Sequence, residues 1–168
     1  MNGPVIDTDG LDGFPMEPQG GSATFGATVS PLGGPLGLSG LGAMLVTVQP
    51  GKRAFPFHNH LGNDEMFVIL EGEGTFRLGE TEHPVRAGSV CGAPKGGPET
   101  AHQLINSGTT PLRYIGISTT QDPEVVEYPD SGKFAAIAVA PGADFMSAHL
   151  KHVGRREDGR DYWEGEMA

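Results

Sequence analysis

Cysteine is nearly absent from this sequence, and the single thiol, Cys91, excludes an intramolecular disulfide and any all-cysteine zinc site. Long apolar stretches are missing too. The longest uninterrupted runs, 66–70 and 134–140, fall far short of a membrane span. No Lys or Arg precedes Lys52 and no basic stripe follows it, which argues against nucleic acid, since phosphates need such a stripe. The opening MNGPVIDTDG has neither a basic start nor an apolar stretch, so no signal peptide is expected and the setting is read as cytoplasmic and reducing. What the chain has in abundance is turn-forming residues, 27 Gly and 14 Pro in 168. With 37% hydrophobic residues, that composition fits a folded body of many short strands joined by turns.

The formal charge of -10 is unevenly spread: residues 1–51 carry -4, residues 52–120 carry -1 and residues 121–168 carry -5. The acidity belongs to the two arms, and the near-neutral middle leaves an anionic small molecule possible as a ligand. Three stretches follow. Residues 1–42 are a Gly/Pro-rich N-terminal arm, expected to dock through Leu32, Leu36, Leu38 and Leu41. Residues 43–120 are the organised middle. Residues 121–168 are a C-terminal extension whose Val125, Val126, Tyr128, Phe134, Ile137 and Val139 suffice to pack it on the body. Turn signals punctuate it at Asp122-Pro123, Pro129-Asp130-Ser131-Gly132 and Pro141-Gly142, and Tyr162 with Trp163 is expected to anchor the tail.

The middle reads as strand after strand. Segments 44–49, 65–70, 75–78, 82–85, 89–92, 103–106 and 112–118 have β character, and 54–60 is extended. Gly79-Glu80-Thr81 marks a hairpin between 75–78 and 82–85. Seven or more short strands predict an all-β sandwich or a closed barrel.

One run carries chemistry: Gly51-x6-His58-x-His60-x4-Glu65-x6-Gly72. On a strand of period two, His58 and His60 project from one side. Residues 61–64 can turn the chain so that Glu65 returns toward them, and two imidazoles with a carboxylate make a site for a divalent metal. A second run, Gly88-x5-Pro94-x-Gly96-x5-His102-x3-Asn106, offers His102 as a fourth ligand. Counting from Gly96 favours Glu99 for that role, and counting back from Asn106 favours His102. Arg77 and Arg113 lie inside predicted strands, where a cavity-facing guanidinium would grip a carboxylate or phosphate. Facing solvent or a subunit interface is the alternative. Cys91, between Val90 and Gly92, reads as a small buried hydrophobe.

These two runs, with DEMFVILEGEGTFRLGE and GGPETAHQLIN around them, resemble the motifs of the cupin superfamily over residues 43–120. The Gly51–His58 spacing is one residue longer than the family's usual one, and the Gly96–His102 spacing three longer, so 95–101 reads as an insertion. The resemblance implies a jelly-roll barrel (a double-stranded β-helix), a metal held by His58, His60, Glu65 and His102 with positions left open, and a homodimer. Iron, manganese, nickel and zinc all suit such ligands. Three activities follow as expectations. The first is a metal-dependent isomerase of a sugar or sugar phosphate, with Glu65 or Glu99 moving the proton and Arg77 or Arg113 holding the substrate. The second is a metal-dependent dioxygenase. The third is a non-catalytic small-ligand binder.

Overall fold

Along Leu112–Thr119, Leu112, Tyr114 and Gly116 are buried while Arg113, Ile115 and Ile117 are half-exposed, the alternation of a strand with one face in a core. In the computed structural model, which describes residues 3–139 and 148–166, this strand lies inside the largest sheet. With strands numbered in chain order, that sheet runs β1 (Phe14–Met16), β2 (Ala27–Pro31), β3 (Leu41–Val48), β10 (Leu112–Thr119), β5 (Glu65–Glu71) and β8 (Val90–Ala93). A three-stranded sheet runs β7 (Thr81–Arg86), β6 (Glu73–Leu78) and β9 (His102–Ile105). A four-stranded sheet runs β13 (Leu150–Arg155), β12 (Lys133–Ala138), β11 (Glu124–Tyr128) and β4 (Asn59–His60). Neighbours pair antiparallel throughout, and isolated bridges tie Arg53 to Ile105 and His58, just before β4, to His102 of β9.

The core lies between the large sheet and the smaller ones. Val46, Val48, Phe67, Ile69, Leu112 and Tyr114 from one side pack with Phe76, Val85 and Leu104 from the other. A second, smaller cluster of Val126, Ala135 and Ile137, with Tyr128, Val139 and Ala148 against it, sits under the C-terminal sheet. The architecture is an all-β double-stranded β-helix, the jelly roll expected from the motif residues.

Gly72 shows how tightly the barrel turns. It joins β5 to β6 at φ +79°, and a Cβ there would drive into the Pro111 carbonyl oxygen. The left-handed conformation alone costs a side chain about 1–2 kcal/mol, and the clash is with backbone that has no room to move. Gly72→Ala should therefore lower the thermal midpoint by several degrees, read by differential scanning calorimetry; an unchanged midpoint would show that this turn relaxes.

Several expectations are corrected. The extended segment 54–60 pairs as a strand only at Asn59–His60, since Pro56 has no N–H to donate and Ala54 and Phe55 run outside any ladder. Residues 14–16 and 27–31 add β1 and β2 to the large sheet, with Val29 buried; of the leucines expected to dock, Leu32 is buried while Leu38 and Leu41 are exposed. Tyr162 and Trp163 are exposed and meet edge-to-face only each other, at 4.9 Å, so they anchor nothing among the described residues. The Pro141-Gly142 turn signal lies outside those residues. Cys91 is buried as expected, and burial pushes its thiol pKa up. No helix among the described residues is long and apolar enough to cross a membrane.

Candidate metal centre

The two-residue strand β4 exists because both its edges are clamped. On one side His60 and Asn59 pair with Val126 and Glu127 of β11. On the other, the Gly96 N–H donates to the His60 carbonyl at 2.9 Å, and the buried Asn59 amide donates to the Gly96 carbonyl at 2.8 Å and to Glu127 at 3.1 Å. Asn59 thus fills the position between the two histidines and turns both imidazoles to the opposite face. One residue earlier, His58 and His102 exchange both backbone hydrogen bonds, at 3.2 and 2.8 Å, which sets them directly opposite each other. Glu65 enters as the first residue of β5 in the large sheet.

All three imidazoles turn Nε2 toward one oxygen. Glu65 Oε2 lies 2.6 Å from His102 Nε2, 3.5 Å from His60 Nε2 and 3.9 Å from His58 Nε2. Behind the rings, His58 Nδ1 lies 2.8 Å from the Pro56 carbonyl oxygen and His102 Nδ1 lies 3.3 Å from that of Thr100. His60 differs: both its ring nitrogens are buried without a hydrogen-bond partner. That orphaned pair of nitrogens fits an imidazole that donates its lone pair to a metal ion, because buried polar groups in folded proteins are as a rule hydrogen-bonded. Ligand atoms of His58, His60 and Glu65 lie within 4.8 Å of one another, a span one divalent ion can bridge. His102 reaches the same cluster through Glu65.

Apolar neighbours and charges set the protonation states. Burial, with the neighbouring His102, lowers the His58 pKa to about 4, so this ring is neutral and free to coordinate at physiological pH. Burial alone would lower His60, but the Glu65 and Glu124 carboxylates outweigh it and raise its pKa. Burial would likewise raise Glu65, yet the hydrogen bond from His102 and the close His60 imidazole hold its carboxyl far below the usual range. The cluster is wedged between the two cores. The His102 ring lies tilted against Phe67 and Phe76, with centroids 5.4 and 6.3 Å away, and the His58 ring lies tilted against Tyr128 at 6.2 Å.

The other expected residues go elsewhere. Glu99 is exposed on the short 3-10 turn Pro98–Thr100, where its carboxylate accepts the Gly97 N–H at 3.0 Å. Arg77 forms a two-pronged pair with Asp130 at 2.8 and 3.0 Å and lies over the Phe57 ring. Arg113 pairs with Glu71 and Asp9 and donates to the Thr8 carbonyl at 2.9 Å. The physical reason is strand alternation: Phe76 and Tyr114 take the core face, so Arg77 and Arg113 take the outer one. Three residues near the cluster were not expected there from sequence: Asn59 and Glu124, which were not singled out, and Tyr128, which was expected only to pack the C-terminal extension. The first lies inside the H-x-H step, where alternation could have flagged it. The other two come from β11, more than 60 residues away, and nothing local announces them.

Comparison with known proteins agrees with this geometry. Residues 44–118 match the Cupin domain family. A stretch of 68 residues, 40% of this chain, is 35% identical to the oxalate-binding protein of Thermotoga maritima. The chain spans only about half the length of the curated relatives it matches, 54% and 57%. Among solved structures, a candidate sugar phosphate isomerase from Acidithiobacillus ferrooxidans shares 26% identity at a TM-score of 0.67, over 81% of this chain and 80% of that one. A sugar phosphate isomerase of the cupin superfamily from Silicibacter pomeroyi superposes at a TM-score of 0.73 over 92% of this chain and 94% of that one; at 23% identity it speaks to fold alone. Jelly-roll topology and the match over residues 44–118 together place a cupin domain in that segment of the chain.

Proposed function

We propose that this cupin is a metal-dependent enzyme that moves a proton within a small hydroxy-carbonyl compound of the sugar or sugar-phosphate class. The observation that carries the reading is the convergence of three Nε2 atoms on Glu65 Oε2. A divalent iron, manganese, nickel or zinc ion held by His58, His60, Glu65 and His102 would supply Lewis acidity toward the substrate carbonyl. The chain's own groups do the rest. Glu65, kept ionised, and Glu99, exposed on its turn, are the carboxylates proposed to accept and return the proton. Phe67, Phe76 and Tyr128 keep water from the reacting carbons.

The similarity to the Acidithiobacillus structure, which extends over most of both chains, supports the isomerase class. Arg77 and Arg113 are already committed to carboxylates, so they leave the role of phosphate grip. Lys133, whose ammonium sits 5.7 Å from the centre of the Tyr128 ring beside His58, takes it instead. A second copy of the chain belongs to this reading: Met66 and Val90 are exposed on the outer faces of the paired strands β5 and β8, an apolar surface fit for a homodimer.

Metal analysis of protein purified without an affinity tag, followed by an aldose–ketose panel in deuterated water, tests the reading. Bound metal and deuterium appearing at the carbon next to the substrate carbonyl are expected. The match to an oxalate-binding protein favours one alternative, a non-catalytic binder of small dicarboxylates. Bound metal with saturable oxalate binding and no exchange on any sugar would establish that alternative, and metal-free protein would overturn both.

A further inference from the structure

The His60 imidazole differs from the other two in what stands behind it. His58 and His102 each have a neutral backbone carbonyl at Nδ1, supplied from two residues earlier in the chain. His60 Nδ1 instead faces a carboxylate, Glu124 Oε2, 3.6 Å away and supplied by β11. That distance is just beyond hydrogen-bond range, as expected of a pair that tightens only when the ring is engaged on its other side.

Glu124 is itself held in place. Its carboxylate accepts the Gly62 N–H at 3.1 Å, the Val125 N–H at 2.8 Å and the side-chain amide of Asn63. Asn63 is locked in turn. Its Oδ1 accepts the Thr119 hydroxyl at 2.9 Å and the Gln121 N–H at 2.6 Å, and its amide donates to the Gln121 carbonyl at 3.1 Å. The network crosses from the turn after β4 to the end of β10 and into β11. Glu124 is almost completely buried, so a carboxylate stands there for a reason other than solubility.

We propose that Glu124 is the positioning residue of the metal centre: it receives the Nδ1–H of His60, holds Nε2 toward Glu65, and makes that nitrogen a stronger donor than the other two. The proposal rests on the metal reading of His58, His60, Glu65 and His102. A carboxylate behind a ligating imidazole fixes ring orientation and raises ligand basicity, and losing it typically costs ~10–100-fold in metal affinity. Glu124 lies outside the segment 44–118 that matches the family, so the C-terminal sheet of this chain supplies part of its own metal affinity.

Chelator competition with zinc and with manganese, on the full chain, tests this in wild type, Glu124→Gln, Glu124→Asp and His60→Ala, each with its metal-free melting temperature. Glu124→Gln should bind ~10–100-fold more weakly, Glu124→Asp should fall between it and wild type, and His60→Ala should be weakest. Wild-type affinity in Glu124→Gln beside impaired His60→Ala overturns the proposal and leaves the metal reading standing. Absence of binding by wild type overturns the reading beneath it. A readout independent of variant folding comes from the zinc-loaded wild type, where the His60 Nδ1 proton should resonate downfield of those of His58 and His102. Three coincident resonances would overturn the proposal even if the variants fail to fold.

Discussion

His102→Ala should strip the protein of metal, weakening affinity by on the order of 100-fold or more, beyond the ~10–100-fold expected of a supporting partner. Glu99→Gln should leave metal content unchanged and alter turnover or substrate range. The contrast follows from where the two residues sit. His102 is buried on β9, exchanges both backbone hydrogen bonds with His58, and brings Nε2 to 2.6 Å from Glu65 Oε2. Glu99 is exposed on a three-residue turn and already caps the Gly97 N–H. A ligand works best on a rigid element. Metal content of the two purified variants, measured by mass spectrometry, checks the assignment. The reverse pattern would place Glu99 in the coordination sphere and make His102 part of the wall.

Removing everything after Thr120 should produce an insoluble protein, or one whose melting temperature falls by ten degrees or more. Deletion takes away β11, β12 and β13 together. Val126 and Ile137, each about 95% buried, and Ala135 lose their packing. Burying a Val or Ile side chain contributes about 1.5–3 kcal/mol, a large part of the 5–15 kcal/mol typical of a whole domain. The loss extends to the barrel, because β4 loses its ladder and Asn59 loses Glu127. Calorimetry on the truncated and full chains decides: a truncated barrel melting at the full-length temperature would show the C-terminal sheet to be a passenger.

Much of the barrel was readable before any coordinates, for a local reason. Expected strands at 65–70, 75–78 and 112–118 correspond to Glu65–Glu71, Glu73–Leu78 and Leu112–Thr119, because alternation and Gly/Pro punctuation act over a few residues. The hairpin at Gly79 likewise follows from one residue at φ +55°. The histidines and Glu65 were legible because their spacing is short and their chemistry narrow. What was not legible is what depends on distant pairing. The turn signal at Pro129-Asp130-Ser131-Gly132 and the apolar residues around it were legible, yet nothing in them says that β11 pairs with β4 or that Glu124 arrives behind His60. The arginines show the opposite failure. Being inside a strand was readable, but which face is the core depends on register against neighbours, and register put Phe76 and Tyr114 inside.

The clamp on β4 also fixes when this protein becomes competent. Asn59 and its partner Glu127 are separated by 68 residues, so their contact closes one of the longer loops in the fold. Such contacts form late, because loop-closure entropy is lost before packing repays it. During synthesis, the two-histidine strand emerges from the ribosome long before the segment that holds it in line. A nascent chain therefore carries the two histidines without the strand that aligns them, and Glu124 follows His60 by 64 residues. The geometry of the His58–His60 step is thus set by β11, which follows it in the chain by more than sixty residues.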